Sequence, residues 1–167
     1  MSTSDLLAEL YGALRQAFSH RKWWPAPTPF EVMVGALLTQ NTSWTNVEKA
    51  MAALKQAGAL EAPVLAEMDV ERLQVLVRTA GYFRQKAARL KRLAAWVVEA
   101  GLPPDGTEDA ARRKAVSTSQ LREDLLALNG IGPETADSIL LYAFGRPSFV
   151  VDAYTKRIAA RHRLVDW

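Results

Sequence analysis

The 167-residue chain contains no cysteine. This absence excludes disulfide bonds, a thiol nucleophile and thiolate metal ligands within it. The two histidines, His20 and His162, lie far apart in sequence, so we expect no metal site. No run of apolar residues approaches the ~18 that a membrane span requires, and the N-terminus lacks the basic-then-apolar pattern of a secretion signal. We therefore expect a cytoplasmic protein without a membrane partner.

The residues that are present have an ordinary balance for a folded protein. Apolar residues make up 49% of the chain and charged residues 23%, which is far from the composition of disordered segments. The net charge is only +3, but the pI of 9.3 favours an anionic partner.

Helical periodicity recurs along the chain, whereas strand-like alternation is nearly absent, so the predicted fold class is all-α. Helix starts are indicated by Thr28 with Glu31, Thr45 with Glu48, Asp69, and Ser117 with Gln120. An apolar stripe marks a first helix over residues 4–18, formed by Leu6, Leu7, Leu10, Leu14 and Phe18. A long amphipathic helix is predicted over residues 83–98, and a short polar helix through Ala110 and Lys114.

The run LNGIGPETADSI, residues 128–139, predicts a helix-hairpin-helix unit. Gly130 and Gly132 permit positive φ and a close approach to the backbone, while Ile131 can fill the space between the two helices. The exposed amides and the positive end of the second helix then suit a phosphate oxygen. An ordinary helical hairpin is the alternative, because such turns are common.

The longer run LNGIGPETADSILLYAFGRPSFVVDAYTKR resembles the helix-hairpin-helix, Gly/Pro loop and aspartate signature of the endonuclease III superfamily of DNA glycosylases. Three earlier segments are similar to its 3-methyladenine DNA glycosylase III branch: KWWP, FEVMVGALLTQNTSW and GYFRQKAARL. The resemblance implies two helical lobes with a central cleft. One lobe would span residues 22–146, with the hairpin at about 118–144. The other would combine residues 1–21 with a C-terminally truncated 147–167.

By this resemblance Asp152 is the catalytic residue. Its carboxylate would stabilise an oxocarbenium-like sugar and position or deprotonate water. Asp152 also suits the cap of a helix beginning at Ala153, and both roles can coexist.

Bifunctional members of the superfamily carry a lysine at the position of Glu134, and a carboxylate cannot form their Schiff base. The resemblance therefore implies a glycosylase without lyase activity. Glu134 is also a favourable acid for a first helical turn.

The resemblance places five residues at the base pocket or at the segment that enters DNA: Gln40, Asn41, Trp23, Trp24 and Glu134. Trp23 and Trp24 would stack on an electron-poor, positively charged base, although packing is the commoner use of adjacent tryptophans. The DNA backbone would be bound by Gly130, Ile131, Gly132, Thr135, Arg84 and Lys86. Further basic residues suited to phosphate are Arg89, Lys91, Arg92, Lys156, Arg157, Arg161 and Arg163.

The predicted activity is removal of a flipped, damaged base from double-stranded DNA in base excision repair. An alkylated purine such as 3-methyladenine is the expected lesion. A thymine or uracil mismatch glycosylase and a non-catalytic DNA-binding module are the alternatives. We expect a nucleoid-associated monomer without a cofactor, and without an iron–sulfur cluster because cysteine is absent.

Overall fold

A computed structural model describes residues 2–19, 24, 26–102 and 116–165. These residues form helices and loops without a strand, so the prediction of an all-α protein is confirmed. No helix in this part of the chain combines the length and the apolar character needed to cross a membrane. The predicted polar helix through Ala110 and Lys114 lies outside the described residues, as does Trp23.

Internal contacts divide the chain into two compact units. One comprises Ala26–Phe149, and the other combines Met1–Pro25 with Val150–Trp167.

The unit Ala26–Phe149 is built around one strongly apolar helix. This helix, α2 (Pro29–Leu38), buries eight of its ten residues, as expected for a helix that is hydrophobic on all sides. The elements that follow it are α3 (Trp44–Gln56), α4 (Ala62–Glu67), α5 (Val70–Leu76), a 3₁₀ turn (Arg78–Ala80), α6 (Phe83–Glu99), α7 (Thr118–Ala127) and α8 (Pro133–Ser138). A π-helical turn, Ile139–Ala143, continues α8.

Three predicted helix starts are confirmed by hydrogen bonds. Thr28 accepts from the Glu31 amide at 3.2 Å, Asp69 from Arg72 at 2.9 Å, and Ser117 from Gln120 at 3.1 Å. Each side-chain oxygen satisfies an amide that the first helical turn leaves unpaired.

The predicted start at Thr45 is wrong. Helix α3 begins at Trp44 after Ser43, which is the N-terminal cap. Glu48 accepts a hydrogen bond from Trp44 Nε1 at 3.0 Å, and its carboxylate therefore supports the helix from inside its first turns. Helix α4 was not predicted, because six residues are too few to show a clear period.

The other unit contains two helices among its described residues, α1 (Thr3–Phe18) and α9 (Ala153–Arg161). Helix α1 starts with a reciprocal capping box between Ser2 and Asp5. The predicted apolar stripe is present, but α1 buries no residue, and Leu7, Leu14 and Phe18 are exposed. Ala159 of α9 is the single buried residue among those described in this unit.

Candidate nucleic-acid interface and catalytic residue

The glycine-containing turn joins α7 to α8. Helix α7 ends at Ala127, and the Ile131 amide donates to the Leu128 carbonyl at 3.0 Å. The Ile131 side chain is 6% exposed, so it anchors the turn in the apolar interior. The Ile131 amide is not part of an exposed amide row, because this internal hydrogen bond occupies it.

The two glycines have different backbone conformations. Gly130 has a φ of +94°, in the region that favours glycine. Gly132 has φ −94° and ψ 178°, so it does not use the positive φ that glycine permits and is the extended N-terminal cap of α8. A Cβ built on Gly132 meets no atom within 4 Å. Gly132 thus leaves open space beside the turn.

The amides at the start of α8 belong to Gly132, Glu134 and Thr135. Within the described residues none of these three donates to a backbone or side-chain acceptor. Pro133 contributes no amide, as is usual at a first helical position. An anion that reaches the open face at Gly132 would find these donors together with the positive end of the helix.

Gln40, at the end of α2, lies against this turn. Its Nε2 donates to the Gly130 carbonyl at 2.9 Å and to Thr135 Oγ1 at 3.0 Å. Its Oε1 accepts from the Arg89 guanidinium at 3.0 Å. In this DNA-free structure the Gln40 side chain is not presented for insertion into DNA, because all of its polar atoms are engaged. The Thr135 hydroxyl is likewise occupied, and the residue is only 8% exposed, so its amide is the group left for phosphate.

Arg89 covers the other side of the turn. A Cβ built on Gly130 would lie 2.2 Å from Arg89 Nε and 2.3 Å from its Cδ. Glycine is thus favoured at position 130 by its backbone conformation, and an added Cβ would also displace the Arg89 side chain. In the sequence Arg89 is one of several basic residues suited to phosphate, and no local signal indicates its contact with Gly130.

Lys86 was predicted to contact the DNA backbone, and the structure contradicts this. The side chain is 1% exposed, and Nζ donates to the Leu38 carbonyl at 2.9 Å and to the Ala80 carbonyl at 2.7 Å. Burial lowers the pKa of Lys86, and the charge of Arg89 lowers it further. A group enclosed in this way cannot reach a phosphate. Arg84 is exposed, and its guanidinium lies 5.6 Å from the Phe83 ring centroid.

The two carbonyls held by Lys86 precede two exposed turns. Asn41 is exposed with a φ of +52°, and Tyr82 is 65% exposed with a φ of +45°. Left-handed conformations are uncommon for residues other than glycine and tend to mark functional or over-determined positions. Asn41 stays a candidate for contact with DNA. Tyr82 is a second candidate, which no motif of the sequence indicates.

A buried carboxylate ties the hairpin to the loop that follows it. Asp137 of α8 accepts from Arg122 Nε and Nη2 at 2.8 and 3.1 Å, and from Ser148 Oγ at 2.9 Å. The pKa of Asp137 lies below its usual value, chiefly because Arg122 donates to the ionised form and additionally because Ser148 does. The chain reaches Asp152 four residues after Ser148.

Asp152 caps α9. Its Oδ1 accepts from the Thr155 amide at 2.7 Å, while Thr155 Oγ1 donates to the Val150 carbonyl at 3.2 Å. No group among the described residues donates to Oδ2, so one oxygen of the half-buried carboxylate has no partner there. The expected capping role is observed, and the catalytic role stays a prediction.

The remaining predicted positions are distributed as follows. Glu134 is exposed in the first turn of α8. Trp24 is half-buried in the unit that contains Asp152. In the described part of the chain no group of three or more histidine, aspartate or glutamate side chains could hold a metal ion.

Comparison with known proteins identifies the family. The model of the HhH-GPD superfamily of base excision DNA repair proteins matches residues 34–167. The Methanocaldococcus jannaschii protein MJ1434, whose name describes a DNA repair glycosylase, is 47% identical over 162 residues, which are 97% of this chain and 72% of that protein. Endonuclease III of Thermotoga maritima is 32% identical over 135 residues, or 80% of this chain and 56% of that enzyme.

A solved structure agrees with this assignment. The Helicobacter pylori 3-methyladenine DNA glycosylase MagIII, bound to 1,N6-ethenoadenine, is 30% identical with a TM-score of 0.75. The match covers 97% of this chain and 74% of that one. An endonuclease III–DNA complex at 21% identity has the same fold, with a TM-score of 0.76.

The fold, the hairpin and these similarities define the class as a DNA glycosylase of base excision repair. The chain belongs to the HhH-GPD superfamily and has the endonuclease III-like fold.

Proposed function

We propose that the chain is a monofunctional DNA glycosylase which hydrolyses the N-glycosidic bond of an alkylated purine, such as 3-methyladenine, in double-stranded DNA. The observation that carries the proposal is Glu134 in the first turn after the hairpin, where bifunctional relatives have lysine. The similarity to the glycosylase MagIII, which has 3-methyladenine in its name, supports the substrate class.

The hairpin holds the strand in this proposal. The amides of Gly132, Glu134 and Thr135 donate to a phosphate, and Arg84 adds an exposed positive charge. Such contacts fix the register of the protein on DNA without reading its sequence. The damaged nucleotide leaves the helix because its base cannot be reached inside the stack. Asn41 and Tyr82 are the exposed residues that we assign to the distorted duplex.

Asp152 performs the chemistry. The C1′–N bond breaks and the base leaves with the bonding electron pair, so that positive charge develops on the sugar. The Asp152 carboxylate stabilises this charge and accepts a proton from the water that attacks C1′. A cationic alkylated purine leaves as a neutral base, and a strong general acid is therefore unnecessary. The two tryptophans, Trp23 and Trp24, are assigned to stacking on that cationic base.

The substrate is tested with duplexes that each contain a single lesion. We expect the chain to release 3-methyladenine faster than thymine or uracil from mismatches, by about tenfold or more. Released bases are quantified by chromatography under single-turnover conditions. If only thymine or uracil were released, the chain would be a mismatch glycosylase and the proposed alkylated-purine substrate would be wrong. Binding of duplex without release of any base would identify a non-catalytic module.

The absence of lyase activity is tested by borohydride reduction during turnover. We expect no covalent protein–DNA adduct, because a glutamate side chain cannot form an imine with the sugar. The product should be an abasic strand that breaks only after alkali treatment. A lysine-containing member of the superfamily is the positive control for trapping. An adduct formed by this chain under the same conditions would show that another amine attacks the sugar.

A further inference from the structure

We propose that Gln40 is a positioning residue that holds the hairpin turn in its phosphate-binding geometry, and that Arg89 acts through Gln40 by orienting its amide. The inference rests on the proposed function, since it concerns the same hairpin. It reassigns Gln40 from a residue that enters DNA to a residue that shapes the surface on which DNA lies.

The hydrogen bonds of Gln40 are compatible with one amide orientation. Arginine can only donate, and a backbone carbonyl can only accept. Oε1 must therefore face Arg89, and Nε2 must face the Gly130 carbonyl. The second proton on Nε2 reaches Thr135 Oγ1 at 3.0 Å. If the amide were rotated by 180°, its NH₂ group would face the Arg89 guanidinium, which is also a donor. Its oxygen would face the Gly130 carbonyl, which is also an acceptor.

The two acceptors of Gln40 enclose the free amides of the turn. Gly130 lies before Gly132, and Thr135 is the last residue of the free row. One side chain thus spans the turn from its first glycine to its final amide, across 90 positions of sequence from Gly130. The Arg89 side chain packs on the same Gly130 from outside. The turn is held on both sides before any strand arrives.

The same contact joins two parts of the proposed interface. Gln40 directly precedes the exposed, left-handed Asn41. Gln40 therefore holds the hairpin turn and also fixes the start of the turn at Asn41. The group that binds the DNA backbone and the residue assigned to the distorted duplex are thus both positioned by Gln40. Preorganised donors avoid the cost of ordering the turn upon binding.

The experiment uses Gln40→Leu, Gln40→Glu, Arg89→Met and the Gln40→Leu/Arg89→Met pair. Leucine retains much of the volume without hydrogen bonds, while glutamate keeps the contact with Arg89 and removes both donors. Arg92→Met is the matched control, because Arg92 lies on the same helix and its Nη1 lies 3.4 Å from Asn129 Oδ1. It removes the same charge beside the hairpin without a contact to Gln40.

The first measurement is amide hydrogen exchange of the DNA-free protein. We expect the Ile131 and Ala136 amides, which donate to the Leu128 and Gly132 carbonyls, to exchange about tenfold faster in Gln40→Leu and in Arg89→Met, with exchange in α2 and α6 unchanged. Gln40→Glu should resemble Gln40→Leu, since the donors to Gly130 and Thr135 are lost in both. Unchanged exchange at the hairpin, or wild-type behaviour of Gln40→Glu, would overturn the proposal.

The second measurement is binding to undamaged duplex at several salt concentrations. We expect Gln40→Leu to weaken binding about tenfold and to reduce the salt slope by about one phosphate contact. In turnover with a lesion duplex, the increase in KM should exceed the decrease in kcat. The effect of Arg89→Met should be smaller when Gln40 is already leucine, because the part that passes through the Gln40 amide is then lost, whereas the effect of Arg92→Met should add to it. Additivity of Arg89→Met would show that Arg89 acts on DNA independently.

The two proposals fail in different ways. A wild-type chain that neither binds nor processes DNA contradicts the proposed function, whereas hydrogen exchange still reports whether Gln40 positions the turn. Conversely, normal glycosylase activity with unchanged hairpin exchange in Gln40→Leu rejects the positioning role alone.

Discussion

Replacing Asp152 with asparagine is expected to slow base release by about 10²–10⁴-fold, the range that a positioned acid or base contributes. The loss follows because an amide carries no negative charge to stabilise the sugar cation and accepts no proton from water. Asparagine caps helices about as well as aspartate, so the hydrogen bond to the Thr155 amide should persist. DNA affinity is expected to be equal or higher, because a negative charge near the strand has been removed.

Asp69→Asn is the matched control for this variant. Asp69 caps α5 through the same type of hydrogen bond, to the Arg72 amide at 2.9 Å, and has no role in the proposed chemistry. Single-turnover base release and thermal unfolding are measured for both variants. Wild-type release by Asp152→Asn would disprove the catalytic assignment. An equal loss of activity in Asp69→Asn would attribute the effect to helix capping instead.

Replacing Lys86 with methionine is expected to lower the free energy of unfolding by about 2 kcal/mol. Two buried carbonyls, those of Leu38 and Ala80, lose their charged donor, and an unsatisfied buried acceptor costs about 1–3 kcal/mol. Relief of the buried positive charge offsets part of this cost. Because these carbonyls precede the Asn41 and Tyr82 turns, DNA binding should weaken as well.

The difference in the free energy of unfolding between the wild type and Lys86→Met should depend on pH, because Lys86 is buried. Burial lowers the pKa of Lys86 in the folded state, so between the folded and unfolded pKa values the unfolded chain binds more protons. The stability of the wild type therefore gains from Lys86 as pH rises through that window, and its advantage over Lys86→Met should widen. Urea unfolding of both proteins at neutral and alkaline pH measures this stability difference. Lys91→Met is the control, since Lys91 lies on the same helix and donates to the Met68 carbonyl from a half-exposed position. A constant difference across pH would contradict this account.

The sequence of this protein was sufficient for features that depend on neighbours three or four residues apart. The caps at Thr28, Asp69 and Ser117 follow from side-chain oxygens that reach amides three positions on. Where a local pattern had two possible starts, as at Ser43 and Thr45, the sequence signal selected the wrong one.

Arg84 and Lys86 differ in burial in a way that the local sequence does not predict. Arg84 and Lys86 are two residues apart on one helix and have similar chemistry in the sequence. One is exposed, and the other is buried against carbonyls that lie 48 and 6 positions away. Helical spacing predicts that Arg84 and Lys86 lie on different faces of α6. It does not predict which of the two faces is covered by the rest of the chain.

By itself, then, the sequence determined the helical class, most helix boundaries, the hairpin and the superfamily, because these depend on short-range hydrogen bonds and on a contiguous motif. Only the tertiary structure decided that Gln40 supports the hairpin, that Arg89 packs on Gly130 and that Lys86 is internal. Those contacts join residues separated by up to 95 positions. Their geometry is set by the packing of α2, α6 and α8, which no local pattern encodes.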